Sequence, residues 1–309
     1  MTTLITGGGG FLGKHVQQEM KRLNLQYLAP RSTELDILNF EQLCSYLKHY
    51  KPSSVLHMAA LCGGIVKNSH VPADFLRDNT QMALNIYEAA RLSEVKNIYS
   101  LGSVCMYPLH CPTPFKEDDI WNGAAEPTNF PYGQAKRTLM MLGDTYRAQY
   151  GFTGAHLIPV NMYGTHDSFD DQKSHVIPAL IKKFLHAKKN NLPRVECLGT
   201  GAATREFLYA ADAAQAIVKV VATNFDCHLP INLGVGKDIS IKDLAILIKN
   251  ITNYNGEIVF KSDGLDGQPK RMLDVSRAKE LLNWSAQTSL EDGLKKTISW
   301  YQNWSGDGE

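Results

Sequence analysis

The chain has 309 residues, 44% apolar and 20% charged, a composition that fits a folded globular protein with a core large enough for one domain or two and excludes a small stapled fold. Its 32 basic and 31 acidic residues leave a formal charge of +1, so there is no overall pull toward nucleic acid or an anionic membrane. No apolar run approaches the ~20 residues that cross a bilayer, and "MTTLITGG" enters a strand pattern without a charged leader. A cytoplasmic location is the expectation, with neither nucleic acid nor membrane as partner.

Short β-rich runs alternate with amphipathic helical stretches through the first half. "TTLIT" precedes a helix from about Phe11, "LQYLA" one from Asn39, "SSVLHMAA" one from Pro72, and "KNIYSLGS" one from Tyr132. This alternation predicts an α/β fold of Rossmann type, a doubly wound parallel sheet with helices on both faces. After "GAHLIPVNMYG" the pattern loosens. The polar loop "THDSFDDQKSH" leads to a helix from Val176; "INLG", a helix from Ile241, the strand "EIVF" and a last helix ending "ISWYQNW" follow. These predict a smaller mixed α/β substrate-binding domain. The division expected is 1–165, with a returning segment at about 208–235, for the cofactor, and 166–207 with 236–309 for the substrate. Only the tail "NWSGDGE" reads as loose.

Six cysteines, Cys44, Cys62, Cys105, Cys111, Cys197 and Cys227, are scattered without a C-x-x-C pair or Cys/His zinc spacing, so free thiols and no metal are expected. In "TLITGGGGFLGKHV", Gly7, Gly10 and Gly13 stand between the first strand and the first helix, with Phe11 and Leu12 at the helix mouth. Glycine permits the tight turn and close approach that a pyrophosphate needs, and the helix N-terminus favours its charge. Ala59, ending the third strand run, is read as a further cofactor contact. The second strand ends in "LAPRST", without the acidic residue that holds a ribose diol in NAD-selective sites. Arg31 can pair with a 2′-phosphate, or be a plain turn residue; NADP(H) is favoured over NAD(H). Asp36 is the candidate for the adenine.

"PYGQAKRTLM" places Tyr132 and Lys136 four apart, on one face of a helix. An adjacent ammonium acidifies a tyrosine toward proton exchange near neutral pH. Ser103, just past "KNIYSLG", falls at the carboxyl end of a strand, where parallel sheets bind ligands, and can hydrogen-bond a substrate carbonyl together with Tyr132. This combination resembles the extended short-chain dehydrogenase/reductase superfamily. The resemblance narrows at "AALCGGIVKNSHVPADFLRDN", "LGSVCMYP", "EPTNFPYGQAK", "PVNMYGTHDSF", "SHVIPALIKKF", "GTGAATREFLYAADAA" and "DGQPKRMLDVSRAKELLNW". Together these resemble the GDP-L-fucose synthase family, the 3,5-epimerase/4-reductases of GDP-4-keto-6-deoxy-D-mannose, over most of the chain.

That resemblance implies a base at Cys105 and an acid at His175 for inverting C3 and C5, with the enolate held by Ser103 and Tyr132. It implies hydride transfer from NADPH to C4, with Tyr132 giving the proton. It also implies a GDP-linked 4-keto-6-deoxy sugar held by Asn161, His175, Val176, Lys183, Arg205 and Arg271, with Asn161 and Lys136 also at the cofactor, and a homodimer formed through the helices near Pro72 and Tyr132. Gly9, Val104, Thr165 and Ala211 depart from the family pattern, and Arg31 is shifted by about one residue from the family's arginine. Because the departures touch the cavity walls, GDP-heptoses and colitose-type sugars are alternatives, as are C4 reduction alone and epimerisation alone. A non-enzymatic nucleotide-binding protein is disfavoured by the joint presence of Ser103, Tyr132 and Lys136.

Overall fold

A computed structural model describes residues 1–63, 68, 70–170, 174–261 and 268–304. Parts of the quoted stretches around 64–69, 171–173 and 266–267, and the tail from 305, lie outside the described residues.

The first half follows the expected alternation: β1 (Thr2–Thr6), α1 (Phe11–Arg22), β2 (Gln26–Leu28), α2 (Phe40–Tyr50), β3 (Ser54–His57), α3 (Pro72–Leu92), β4 (Asn97–Leu101), α4 (Phe130–Tyr150) and β5 (Thr153–Pro159). The second half adds β6 (Asn161–Tyr163), α5 (Val176–Lys189), β7 (Arg194–Leu198), β8 (Thr204–Tyr209), α6 (Ala210–Ala222) and β9 (Ile231–Leu233). Then come β10 (Asp238–Ser240), α7 (Ile241–Thr252), β11 (Glu257–Lys261), β12 (Lys270–Arg271), α8 (Ser276–Leu282) and α9 (Leu290–Asn303).

Six strands form one parallel sheet in the order β2-β1-β3-β4-β5-β9. Its inner strands are buried along almost their whole length, as a sheet covered by helices on both faces requires. Leu43 and Leu47 of α2, Ala83 and Ile86 of α3 and Leu139 of α4 pack on one face, while Val16 and Met20 of α1 and Ile217 and Val220 of α6 pack on the other. The strand order reverses between β1 and β3, which opens a crevice beyond their carboxyl ends. A second core gathers α5, α7 and α9 around Ile181, Phe184, Ile248 and Ile298. β8 links this part to the first half by pairing with β6, β10 and β12.

Side chains set several helix ends. Asn39 accepts the Gln42 amide at 3.0 Å ahead of α2, and Ser240 and Ser289 accept the amides of Asp243 and Asp292 at 2.9 and 3.1 Å ahead of α7 and α9. Each satisfies a donor the helix leaves open. The helix expected from Tyr132 starts two residues earlier at Phe130, because Pro131 fits the first turn, where its missing N–H costs nothing. β12, with two residues, is too short for sequence periodicity to find.

Asp167 lies in the loop after β6 and is 8% exposed. One carboxyl oxygen accepts the Ser168 amide at 2.8 Å, while Oδ2 has no partner among the described residues. Burial raises this carboxyl to about 7. A carboxyl whose pKa rises on folding contributes full stability below its unfolded value and loses it as pH climbs through the folded value. Asp167→Asn is therefore expected to gain stability over the parent chain between pH 4.5 and 8, on the order of 2 kcal/mol. Thermal unfolding at the two pH values measures this, and an equal difference at both would refute it.

Candidate functional site

The loop between β1 and α1 is shaped by what cannot be added to it. Gly7 has φ +74°, and a Cβ there would lie 2.7 Å from the Ala59 amide nitrogen. At Gly13 a Cβ would collide with the carbonyl oxygens of Gly7 and Gly8. The Gly10 amide closes the turn on the Gly7 carbonyl at 3.1 Å, and Gly10 precedes α1 without a side-chain cap. The amides at the start of α1, including those of Phe11 and Leu12, thus have no side-chain acceptor and suit an anion. Gly9 has open space around it. Ala59 borders the loop and donates its amide to Thr6 Oγ1 at 3.3 Å.

Arg31 and Asp36 follow β2, beside β1, and both are exposed. The Arg31 amide binds Glu34 Oε2 at 2.7 Å, and Asp36 Oδ1 accepts the Leu38 amide at 2.9 Å. Neither is drawn into the core, so the arginine head stays available at the sheet edge.

At the end of β4 the chain turns through a short 3₁₀ segment, Val104–Met106, which Ser103 caps by accepting the Cys105 amide at 3.2 Å. α4 lies directly on this turn. Gly133 allows it, since a Cβ there would collide with the Cys105 carbonyl, and Arg137 Nε fixes the contact by donating to the Met106 carbonyl at 2.7 Å. Ser103, Cys105, Tyr132 and Lys136 are thereby brought together. The Tyr132 hydroxyl lies 3.4 Å from Cys62 Sγ, with Ser103 and Cys105 close enough to act on the phenol. Lys136 Nζ lies 5.8 Å from the Tyr132 ring centre and donates to the Leu101 carbonyl at 2.9 Å.

Burial, followed by the nearby Cys62 and Cys105, raises the Tyr132 phenol well above its ordinary value, while Ser103 works in the other direction. Burial lowers the Lys136 ammonium. In both cases burial works against the charged form.

His175 stands at the N-cap of α5, with Val176 as the first helical residue. The residue is exposed at its surface, and the surrounding protein lowers its pKa by desolvation. Lys183, two turns on, is exposed and donates to the Glu196 carbonyl at 3.0 Å. Asn161 Nδ2 donates to the Glu206 carbonyl at 3.1 Å, tying β6 to β8. Arg205 and Arg271 are register partners on adjacent parallel strands and so share a face of that small sheet. Arg205 donates to the Thr204 carbonyl at 2.7 Å. Arg271 is 9% exposed, with Nε on Gln268 Oε1 at 3.0 Å and a guanidinium nitrogen 3.5 Å from Glu126. Each arginine carries a guanidinium of the kind that binds phosphate oxygens in a bidentate manner. No hydrogen bond joins His175, Lys183, Arg31 or Asp36 to the Tyr132 cluster among the described residues.

The sequence did not reveal Cys62, whose Sγ lies 3.4 Å from the Tyr132 hydroxyl. Its loop is clamped by buried Asn79, which accepts the Leu61 amide at 2.9 Å and donates back to the Leu61 carbonyl at 3.1 Å. Sequence spacing gives no signal for either contact, because they cross between strand end and helix. Cys62 is exposed and Cys197 buried. Brief iodoacetamide treatment is expected to label Cys62 well before Cys197, read by peptide mass spectrometry; equal labelling would mean the thiol is not accessible as described.

Residues 3–234 match the NAD dependent epimerase/dehydratase family. A curated relative named GDP-L-colitose synthase, from Yersinia pseudotuberculosis, is 36% identical over 98% of both chains. One named GDP-L-fucose synthase, from Escherichia coli strain K12, is 35% identical over 96% of this chain and 95% of its own. Among solved structures, the GDP-mannoheptose C4 reductase from Campylobacter jejuni with NADP bound superposes with a TM-score of 0.88 at 29% identity, over 98% of both chains.

Proposed function

The chain belongs to the NAD dependent epimerase/dehydratase family, and from that premise and the site's geometry we propose that it is an NADPH-dependent epimerase/reductase of a GDP-4-keto-6-deoxy-hexose. The observation that carries the reading is the convergence of Ser103, Tyr132 and Lys136 at the carboxyl end of β4.

The cofactor fits the residues present: the Gly7 and Gly13 cradle admits a backbone-hugging pyrophosphate, and the α1 amides face it. Arg31, exposed past β2, suits a 2′-phosphate, and Asp36 the adenine. When bound, NADPH supplies the hydride for C4.

This chain's residues do the rest. Arg205 and Arg271 hold the diphosphate, with Lys183 adding charge, and Asn161 and Val176 border the nucleotide sugar. Ser103 and Tyr132 donate to the C4 oxygen, which stabilises an enolate when a proton leaves C3 or C5. Cys105 takes that proton and His175 returns one from the opposite face. Tyr132 finally protonates the C4 oxygen, and the Lys136 ammonium stabilises the phenolate left behind. The protein would act as a cytoplasmic homodimer through the outer faces of α3 and α4, where Leu76, Leu84 and Met141 are 44%, 41% and 49% exposed.

A narrower reading, C4 reduction of a related GDP-sugar such as a heptose or a colitose precursor, is favoured by the likeness to a C4 reductase and a colitose synthase. Reaction of purified protein with NADPH and GDP-4-keto-6-deoxymannose in deuterium oxide separates the two. Label at C3 and C5 of a reduced product supports both steps, whereas reduction without label leaves a ketoreductase. Tyr132→Phe is expected to lower the rate of NADPH oxidation by roughly 100-fold or more, and an unchanged rate would remove Tyr132 as the acid. Cys105→Ala is expected to abolish the label, and its retention would assign the base elsewhere.

A further inference from the structure

Between β4 and α4 the chain makes one excursion, from Gly102 to Asn129, that carries Cys105 near its start and delivers Tyr132 just past its end. Its two ends are locked to each other where α4 lies on the Cys105 turn at Gly133 and Arg137 binds the Met106 carbonyl. Its middle is fastened to the segment that holds Arg271: the Phe115 amide donates to the Met272 carbonyl at 2.8 Å, and the Asp274 amide to the Phe115 carbonyl at 2.9 Å.

The Arg271 side chain makes a second attachment through two buried residues, Gln268 and Glu126. Gln268 Oε1 accepts Arg271 Nε at 3.0 Å, and Gln268 Nε2 donates to the Pro108 and Leu109 carbonyls at 3.3 and 2.8 Å. Those carbonyls follow the Cys105 turn directly. On the other side Glu126 Oε2 stands 3.5 Å from an Arg271 terminal nitrogen. The same oxygen accepts the Thr128 hydroxyl and, at 3.0 Å, the Asn129 side-chain amide. Asn129 is the N-cap residue of α4, in the turn that leads to Tyr132. Pro108 bridges Ala125, and the Leu109 amide donates to the Ala124 carbonyl at 2.9 Å, so both attachments reach one paired piece of backbone.

A carboxylate beside a phosphate-binding arginine repels the ligand that the arginine serves. For affinity alone it is a poor choice. The pair is also open, since a closed guanidinium–carboxylate bond measures about 2.7–2.9 Å. A guanidinium is a rigid planar fork, so turning it toward phosphate oxygens shifts its bonds to Gln268 and Glu126 together. One partner leads to the residues behind Cys105, the other to those ahead of Tyr132.

We propose that Glu126 and Gln268 are positioning residues that make the alignment of Tyr132 and Cys105 depend on a diphosphate held by Arg271. The inference rests on the reading of Arg271 as a diphosphate ligand and of Tyr132 and Cys105 as acid and base. Binding energy from the part of the substrate that does not react is thereby used at the reacting carbons. A sugar monophosphate with the same ring is then a slow substrate even at saturation.

The test compares NADPH oxidation with GDP-4-keto-6-deoxymannose and with 4-keto-6-deoxymannose 1-phosphate, which keeps the ring but lacks the second phosphate. The parent protein is expected to show a kcat roughly 10-fold lower on the monophosphate. Glu126→Gln, which keeps the size and an acceptor but loses the charge, is expected to lower kcat on the GDP-sugar by roughly 10-fold, with KM within about threefold. Its kcat on the monophosphate should stay within about twofold of the parent's, because that substrate never engages the coupling. Gln268→Met, which fills the same space without those hydrogen bonds, should behave alike and decides the matter if Glu126→Gln does not fold. A residue that merely held the loop would cost both substrates equally. An equal loss therefore overturns the proposal, as does no loss on the GDP-sugar or a parent that turns over both substrates at one rate. A parent that oxidises no NADPH with GDP-4-keto-6-deoxymannose would instead overturn the reading on which the coupling rests.

Discussion

The site depends on a buried ammonium. Lys136 is 4% exposed, and its ammonium donates to the Leu101 carbonyl. Removing such a charge from water costs several kcal/mol unless dipoles replace the lost solvent. Carbonyl, phenol and neutral imidazole supply those dipoles only if α4 rests directly against the end of β4. The glycine at 133, the Arg137 bond to Met106 and the early helix start at Pro131 all serve that approach. A bulkier residue at Gly133 would lift the helix and separate the ammonium from its carbonyl.

A second buried charge organises the opposite wall. Glu206 is fully buried; it accepts the Val235 amide, the Gly236 amide at 2.7 Å and the Leu273 amide at 2.7 Å. Burial raises its carboxyl, and the three amides counter that rise. One side chain therefore ties β8 to the segment after β9 and to the residue two places beyond Arg271. This fixes the strand pairing that sets Arg205 beside Arg271. Glu126 continues the arrangement: burial pushes its carboxyl up, but bonds from Thr128 and Asn129 and the Arg271 charge bring it below the usual range. The arginine is thus held in place before any diphosphate arrives, which lowers the ordering cost of binding.

The parts legible in the sequence were those whose physics is local. Pro72, Val176 and Ile241 open helices where expected, because proline, caps and periodicity act within a few residues. The glycine loop was legible because backbone approach demands glycine, and the Tyr132–Lys136 pair because a helix returns every fourth residue to one face. Contacts set by strand register were hidden. His57, Ser100 and His156 are separated by 43 and 56 positions in the chain and meet only because β3, β4 and β5 align at one level. Cys62 reaches Tyr132 across 70 residues, and Arg205 reaches Arg271 through a two-residue strand.

That difference bears on how the buried polar row across the sheet should be understood. Thr6, His57, Ser100 and His156, in register on β1, β3, β4 and β5, gain little net stability from their hydrogen bonds, and apolar replacements of similar shape are often neutral or better. Folding alone therefore gives little reason for two histidines at this level. Their placement makes sense beside Lys136, since a buried ammonium needs dipoles that do not themselves take up charge. A neutral imidazole, kept uncharged by burial and by the Lys136 charge, meets that need.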